Sequence, residues 1–162
     1  MCGIFGVFIK DSTILGGELA SLAKHAQERG SDSSGLMLYR NGAYETVTGD
    51  IPISKLLAKT DGDNCCFVAG HSRLATNGTG DNQPVMKENT LTIHNGIICN
   101  TNQLWKDRES SRELAIDTEI IPVLIKEEKA KGKSLKEIEK SLFNECEGVI
   151  SAAVLDPKIG EL

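Results

Sequence analysis

The sequence predicts an α+β layered sandwich, on three observations. Short apolar runs of strand type stand near both ends of the chain, helical apolar spacings lie between them, and an Asn-Gly pair joins two β-type runs. The 162 residues are one domain's worth of chain, so a single domain over 1–162 is expected. With 40% hydrophobic and 25% charged residues, the balance is that of an ordinary soluble globular protein.

Each element has its own signal. Ile4 to Ile9 is a short apolar run of the buried-strand type. Leu15 to Glu28 carries Leu15, Leu19, Leu22, Ala23 and Ala26 at helical spacing, and Gly30 is a natural stop. Gly35 to Arg40 and Ala43 to Val47 read as strands flanking Asn41-Gly42, a strong hairpin signal. A short helix over Ile53 to Ala58 is followed by the polar turn Asp61-Gly62-Asp63-Asn64 and an apolar strand, Cys65 to His71. Ala75 to Asn89, rich in Gly, Asn, Asp and Thr, is expected as a loop. Leu91 to His94 is one more strand, ending in Asn95-Gly96.

The second half turns helical. Asp117 suits the N-cap of a helix running to about Lys129, which Pro122 kinks or delays. Ser134-Leu135-Lys136-Glu137 is a capping box before a helix reaching about Cys146. Gly148 to Leu155 is a final strand, closed by the Asp156-Pro157 turn.

Composition excludes several classes. No apolar run approaches the roughly 18 residues of a spanning helix. Lys10 follows the first apolar stretch instead of preceding it, so a secretory leader is not expected. The net charge of −5 and the scattered basic residues leave no footprint for nucleic acid. Lys126 to Lys133 mixes both signs and reads as a solvated helix end. Gly78-Thr79-Gly80 lacks the Lys-Ser/Thr of a phosphate loop. Five cysteines without C-x-x-C spacing argue against zinc and against a disulfide framework. Reduced thiols in a cytoplasmic protein are expected, with Cys65 and Cys66 as small core residues.

Cys2 stands apart because of its place. Removal of Met1 would leave a thiol and a free α-amine on one residue. A free α-amine has a pKa of about 7.7–8.0 against about 8.5 for a thiol, so the neutral amine can take the thiol proton near neutral pH. Met1, if retained, would tie that amine up in a peptide bond. Further segments carry polar residues suited to an amino-acid amide. Arg29 and Asp32 lie in a glycine-bracketed turn ending at Gly35. Arg73, just past a predicted strand, is suited to bidentate capture of a carboxylate. Asn95 and Gly96 offer an NH₂ and a backbone N–H to a developing oxyanion, and Asp117 offers a carboxylate to an ammonium group. Taken singly, each has a plainer role: a local ion pair, a salt bridge, a turn dipeptide or a helix cap. His25, His71 and His94 read as structural histidines.

Together and in this order, the segments resemble the class II (N-terminal nucleophile) glutamine amidotransferase domain. The resemblance rests on Met1-Cys2-Gly3-Ile4-Phe5-Gly6, on Arg29 to Gly35, on Gly70 to Gly78, on Asp81-Asn82-Gln83-Pro84, on Ile93 to Asn100, and on Asp117-Thr118-Glu119. It is nearest the glutaminase domains of glucosamine-6-phosphate synthase and amidophosphoribosyltransferase, although Leu74 and Asn77 stand where the former branch carries Trp and His. It implies a four-layer αββα sandwich and hydrolysis of the glutamine side-chain amide. Cys2 would be the nucleophile, Asn95 and Gly96 the oxyanion hole, Arg73 with Thr76 the carboxylate site, and Asp117 the ammonium site, with Arg29 and His71 in support. No cofactor and no metal are implied. The partners implied are glutamine and a synthase domain or subunit that takes the ammonia, with no nucleic acid and no membrane. Relatives continue beyond the point matching Leu162, so a C-terminally truncated domain is one expectation and a minimal stand-alone subunit the other. Two other functions stay open: a non-catalytic glutamine-binding or regulatory module, and an N-terminal-nucleophile amidase acting on another amide.

Overall fold

In a computed structural model of the chain, the described residues are 2–9, 14, 16–40, 42–60, 65–74, 81–106 and 108–156. The chain divides into two units, Met1–Pro84 and Val85–Leu162. Each holds one antiparallel sheet with helices packed on it, which is the α+β class read from the sequence.

The first unit runs β1 (Gly3–Phe8), α1 (Gly16–Gln27), β2 (Ser33–Arg40), β3 (Ala43–Gly49), α2 (Ile53–Lys59) and β4 (Phe67–Arg73), with strand order β1-β4-β2-β3. Alternation sorts the side chains of the central strands onto two faces. Leu36 and Leu38 of β2 and Val68 of β4 meet Leu19, Ala23 and Ala26 of α1, and Ile53 and Leu56 of α2, in one core. Phe5 lies over Gly70, its register partner, and joins that core. Cys65 is fully buried beside it, as a small core residue should be, whereas Cys66 is half-buried. Asn41 of the expected hairpin turn and the 61–64 turn lie outside the described residues. The strand pairing Arg40↔Ala43 brackets that hairpin.

The second unit runs β5 (Val85–Lys87), β6 (Thr90–Ile98), α3 (Thr101–Leu104), a 3-10 turn (Asp117–Glu119), α4 (Ile120–Ala130), α5 (Leu135–Glu145) and β7 (Gly148–Leu155), with strand order β5-β6-β7. Its core joins Ile98 and Leu104 to Ile120, Ile121, Val123, Leu124 and Ile125 of α4 and Ile138 of α5, with Ile150 and Val154 of β7 against it. The capping box of α5 forms: Ser134 N–H donates to the Glu137 carboxylate at 2.9 Å.

Four local readings change. The stretch expected as a loop over 75–89 contains strand β5, a three-residue piece too short to show a period. Asn95 and Gly96 lie inside β6, not at its end, because β7 pairs along the whole strand from Leu91↔Leu155 to Ile98↔Gly148. Arg73 is the last residue of β4 and not the one beyond it. Asp117 does not cap a helix. The backbone position before the 3-10 turn is Ile116, and α4 begins only at Ile120, so that Pro122 falls in its first turn, where its missing N–H costs nothing.

Glu128 on α4 is buried, and Lys131 and Lys133 both pair with its carboxylate. Hydrogen bonds from Lys131, Lys133 and Ser141 bring its pKa from the usual 4.5 down to about 2. A depressed carboxyl stabilises the fold above its unfolded pKa and loses that contribution as the pH falls through the folded one. Glu128→Gln should therefore lower the thermal midpoint by a few degrees at pH 7. The gap to wild type should close between about pH 4.5 and 2. Melting curves across this range check it, and a gap independent of pH would contradict the assignment.

Candidate active site

In the first unit the sheet register gathers the polar segments. Gly3 pairs with Ser72, and Ser34 pairs with Ser72 from the other side, so the heads of β1 and β2 flank the end of β4. Cys2 stands at the head of β1, half-buried, with its Sγ 3.9 Å from the Leu74 carbonyl oxygen. Arg29, in the turn after α1, donates from Nε to the Cys2 carbonyl oxygen at 3.1 Å. That turn is tied to the end of β4 twice: Ser72 Oγ donates to the Gly30 carbonyl at 2.6 Å, and Asp32 N–H donates to the Arg73 carbonyl at 2.9 Å.

Gly30 is a glycine for a visible reason. A Cβ there would fall inside contact distance of the Leu74 nitrogen and the Arg73 carbonyl carbon, so the turn could not lie this close to β4 with any larger residue. Arg73 itself is only 7% exposed, and its Nη1 donates to the Asp81 carbonyl oxygen. A guanidinium with one nitrogen committed to a backbone oxygen has its plane oriented. His71 is fully buried in β4, paired with Ile4 and Gly35 in the sheet. Thr76, assigned with Arg73 to a carboxylate, lies outside the described residues, as do Asn77 and Gly78.

In the second unit Asn95 is half-buried and Gly96 exposed, opposite Ser151 and Ile150 of β7. At Gly96 a Cβ would collide with the Val149 carbonyl oxygen, so absence of a side chain lets β7 pass. Asp117 turns its carboxylate to this strand: Oδ2 accepts the Ile98 N–H at 2.8 Å, and Oδ1 lies 3.8 Å from His94 Nδ1. Burial alone would raise the Asp117 pKa, but the neighbouring His94 and the hydrogen bond from the Ile98 N–H outweigh it and hold the carboxyl below its ordinary range. Asp117 is therefore ionised at neutral pH. The adjoining Thr118 Oγ1 sits 3.5 Å from His94 Nδ1, and His94 is buried.

The structure thus brings Cys2, Arg29 and Arg73 together in one unit, and Asn95, Gly96, His94 and Asp117 in the other. Sequence reasoning missed the Asp81 carbonyl and the fully buried Glu119. For Glu119 a signal existed, its place in the Asp117-Thr118-Glu119 triplet. For a backbone carbonyl there is none, since every residue has one.

Solved structures share this fold. The glutamine phosphoribosylpyrophosphate amidotransferase from B. subtilis complexed with ADP and GMP superposes with a TM-score of 0.75 at 22% identity, over 96% of this chain and 35% of that one. The α+β fold read from the sequence is thus one shared with a solved amidotransferase structure. Residues 71–162, more than half of the chain, match the family described as the glutamine amidotransferase domain. The chain belongs to that family. It is 29% identical to the glutamine–fructose-6-phosphate aminotransferase (isomerizing) of Bartonella quintana, over 96% of this chain and 26% of that protein. It is 28% identical to the 7-cyano-7-deazaguanine synthase of Saccharolobus solfataricus, over 98% of this chain and 36% of that protein. The chain therefore spans between a quarter and just over a third of the length of these relatives.

Overpacking a well-packed site typically costs about 1–3 kcal/mol. Gly96→Ala should lower unfolding stability by about that amount, read from urea denaturation. An unchanged midpoint would mean that β7 gives way without cost.

Proposed function

We propose that this chain is a glutaminase domain, which releases ammonia from glutamine through a thioester on Cys2 and passes it to a synthase domain or partner subunit. The two units are then halves of one domain over residues 1–162, working in the cytoplasm with neither nucleic acid nor membrane as partner. The observation that carries the proposal is the gathering of Cys2, Arg29 and Arg73 from three separate stretches at one end of the first sheet, in a chain of the glutamine amidotransferase family.

In this reading Met1 is removed and the neutral α-amine of Cys2 takes the thiol proton as Sγ bonds to the amide carbon of glutamine. The carbonyl oxygen gains negative charge, and the Asn95 amide and Gly96 N–H are assigned to it. Collapse breaks the carbon–nitrogen bond, and the Cys2 ammonium returns its proton to the departing nitrogen, which leaves as ammonia. Water then adds to the thioester with the amine as base, and a second collapse frees glutamate and restores the thiol. Arg73, with Thr76, would hold the substrate carboxylate, and Asp117 its ammonium. The ionised state of Asp117 supports that last role, since a neutral carboxyl would attract no cation. Arg29, bonded to the Cys2 carbonyl, would orient the nucleophile's backbone, with His71 supporting from within β4.

Intact-mass spectrometry tests the first step. The mature chain should lack Met1, and a glutamine-like electrophile should add one equivalent at Cys2. Loss of an oxyanion donor typically costs about 10²–10³ in rate, so Asn95→Ala should cut kcat by that factor while leaving the melting temperature near wild type. A trimmed chain that binds glutamine without labelling or turnover would instead be a binding module, and one that hydrolyses other amides better would be a different amidase.

A further inference from the structure

The buried carboxylate of Glu119 has no place in the chemistry just described, yet it draws in donors from two separate segments. Glu119 is 0% exposed. Its oxygens accept the Glu113 N–H at 3.1 Å and the Leu114 N–H at 2.8 Å. Lys87 Nζ, at the end of β5, lies 2.9 Å from the same carboxylate. That ammonium also donates to the Ser111 carbonyl at 2.9 Å and pairs with the Glu113 carboxylate at 2.8 Å. Burial works against the charged lysine, but Glu113 and Glu119 outweigh it and raise its pKa.

A buried carboxylate and a half-buried ammonium are costly to desolvate, and such a pair is seldom the best source of stability. What it does supply here is geometry. Ser111, Glu113 and Leu114 are irregular backbone, with no strand or helix to hold them. The clamp ties this segment both to β5 and to the first turn ahead of α4. Asp117 lies between its two anchor points, Leu114 and Glu119, and is itself bonded to β6 through Ile98. Asp117 thus has its backbone tethered on both sides and its carboxylate bonded to β6, and fixed aim is what recognition of an ammonium group needs.

We propose that Lys87 and Glu119 are positioning residues for Asp117, setting the preference for amides that carry an α-ammonium group. This rests on the reading of Asp117 as the ammonium site.

The test compares glutamine with its des-amino analogue, glutaramic acid, as substrates of the full Met1-trimmed chain. Wild type should favour glutamine in KM. Glu119→Gln and Lys87→Met should raise the KM for glutamine roughly tenfold or more, the size of one charge-assisted hydrogen bond put out of line. The kcat for glutamine and the KM for the des-amino amide should stay near wild type. Because a broken buried pair can unfold the chain, the double variant Lys87→Met with Glu119→Leu is included, an apolar pair that should restore the melting temperature. With positioning, the raised glutamine KM persists in that stable double variant. A return of the wild-type KM together with the melting temperature, or an equal rise for both amides, would overturn the proposal and leave the clamp merely structural. Asp117→Asn separates the two levels: if it leaves the preference for glutamine intact, the ammonium site itself is misassigned, whatever the clamp variants do.

Discussion

Close passage of one backbone over another at Gly30 is the constraint on which the first unit's polar cluster depends. With no side chain in the way, the turn after α1 lies against the end of β4, and three hydrogen bonds then become possible. Arg29 reaches the Cys2 carbonyl, Ser72 reaches the Gly30 carbonyl, and Asp32 reaches the Arg73 carbonyl. A methyl group at position 30 would push the turn outward and lengthen all three at once. The Cys2 backbone, the turn and the arginine are thus one cooperative unit, and the antiparallel register of β1, β4 and β2 is its frame.

The second unit is organised around buried or half-buried carboxylates, each satisfied by its own donors. Asp117 holds the Ile98 N–H, Glu119 holds two backbone N–H groups and Lys87, and Glu128 holds Lys131 and Lys133. A carboxylate taken from water needs such donors, and the donors come from wherever the chain can be drawn close. Carboxylates at 117, 119 and 128 therefore specify loop paths that no helix or strand pattern would specify. Glu113 and Leu114, ahead of the 3-10 turn, are held in place by Glu119.

The chain that carries these clusters belongs to the glutamine amidotransferase family. One unit carries Cys2, Arg29 and Arg73, and the other carries Asn95, Gly96 and Asp117. The relatives are three to four times longer, as the covered fractions of 26% and 36% imply.

Much of the architecture was legible in the sequence, because periodicity, capping chemistry and turn residues act locally. The last strand, Gly148–Leu155, and the helix behind its Ser134-Glu137 box appear where their residues predict. Motif order singles out Cys2, Arg29, Arg73, Asn95, Gly96 and Asp117 as candidates. Tertiary structure decided what those residues do with their hydrogen bonds. Asp117 has the residue type of a helix cap, but it bonds to β6 instead, because the strand brings an Ile98 N–H within 2.8 Å. Asn95-Gly96 has the composition of a turn, but lies in mid-strand, because β7 supplies partners on both sides of it. Sequence by itself determined which chemical groups the chain carries and the local pattern around them. Only the fold decided which distant donor reaches each group, since that depends on how chain segments far apart in sequence pair and cross.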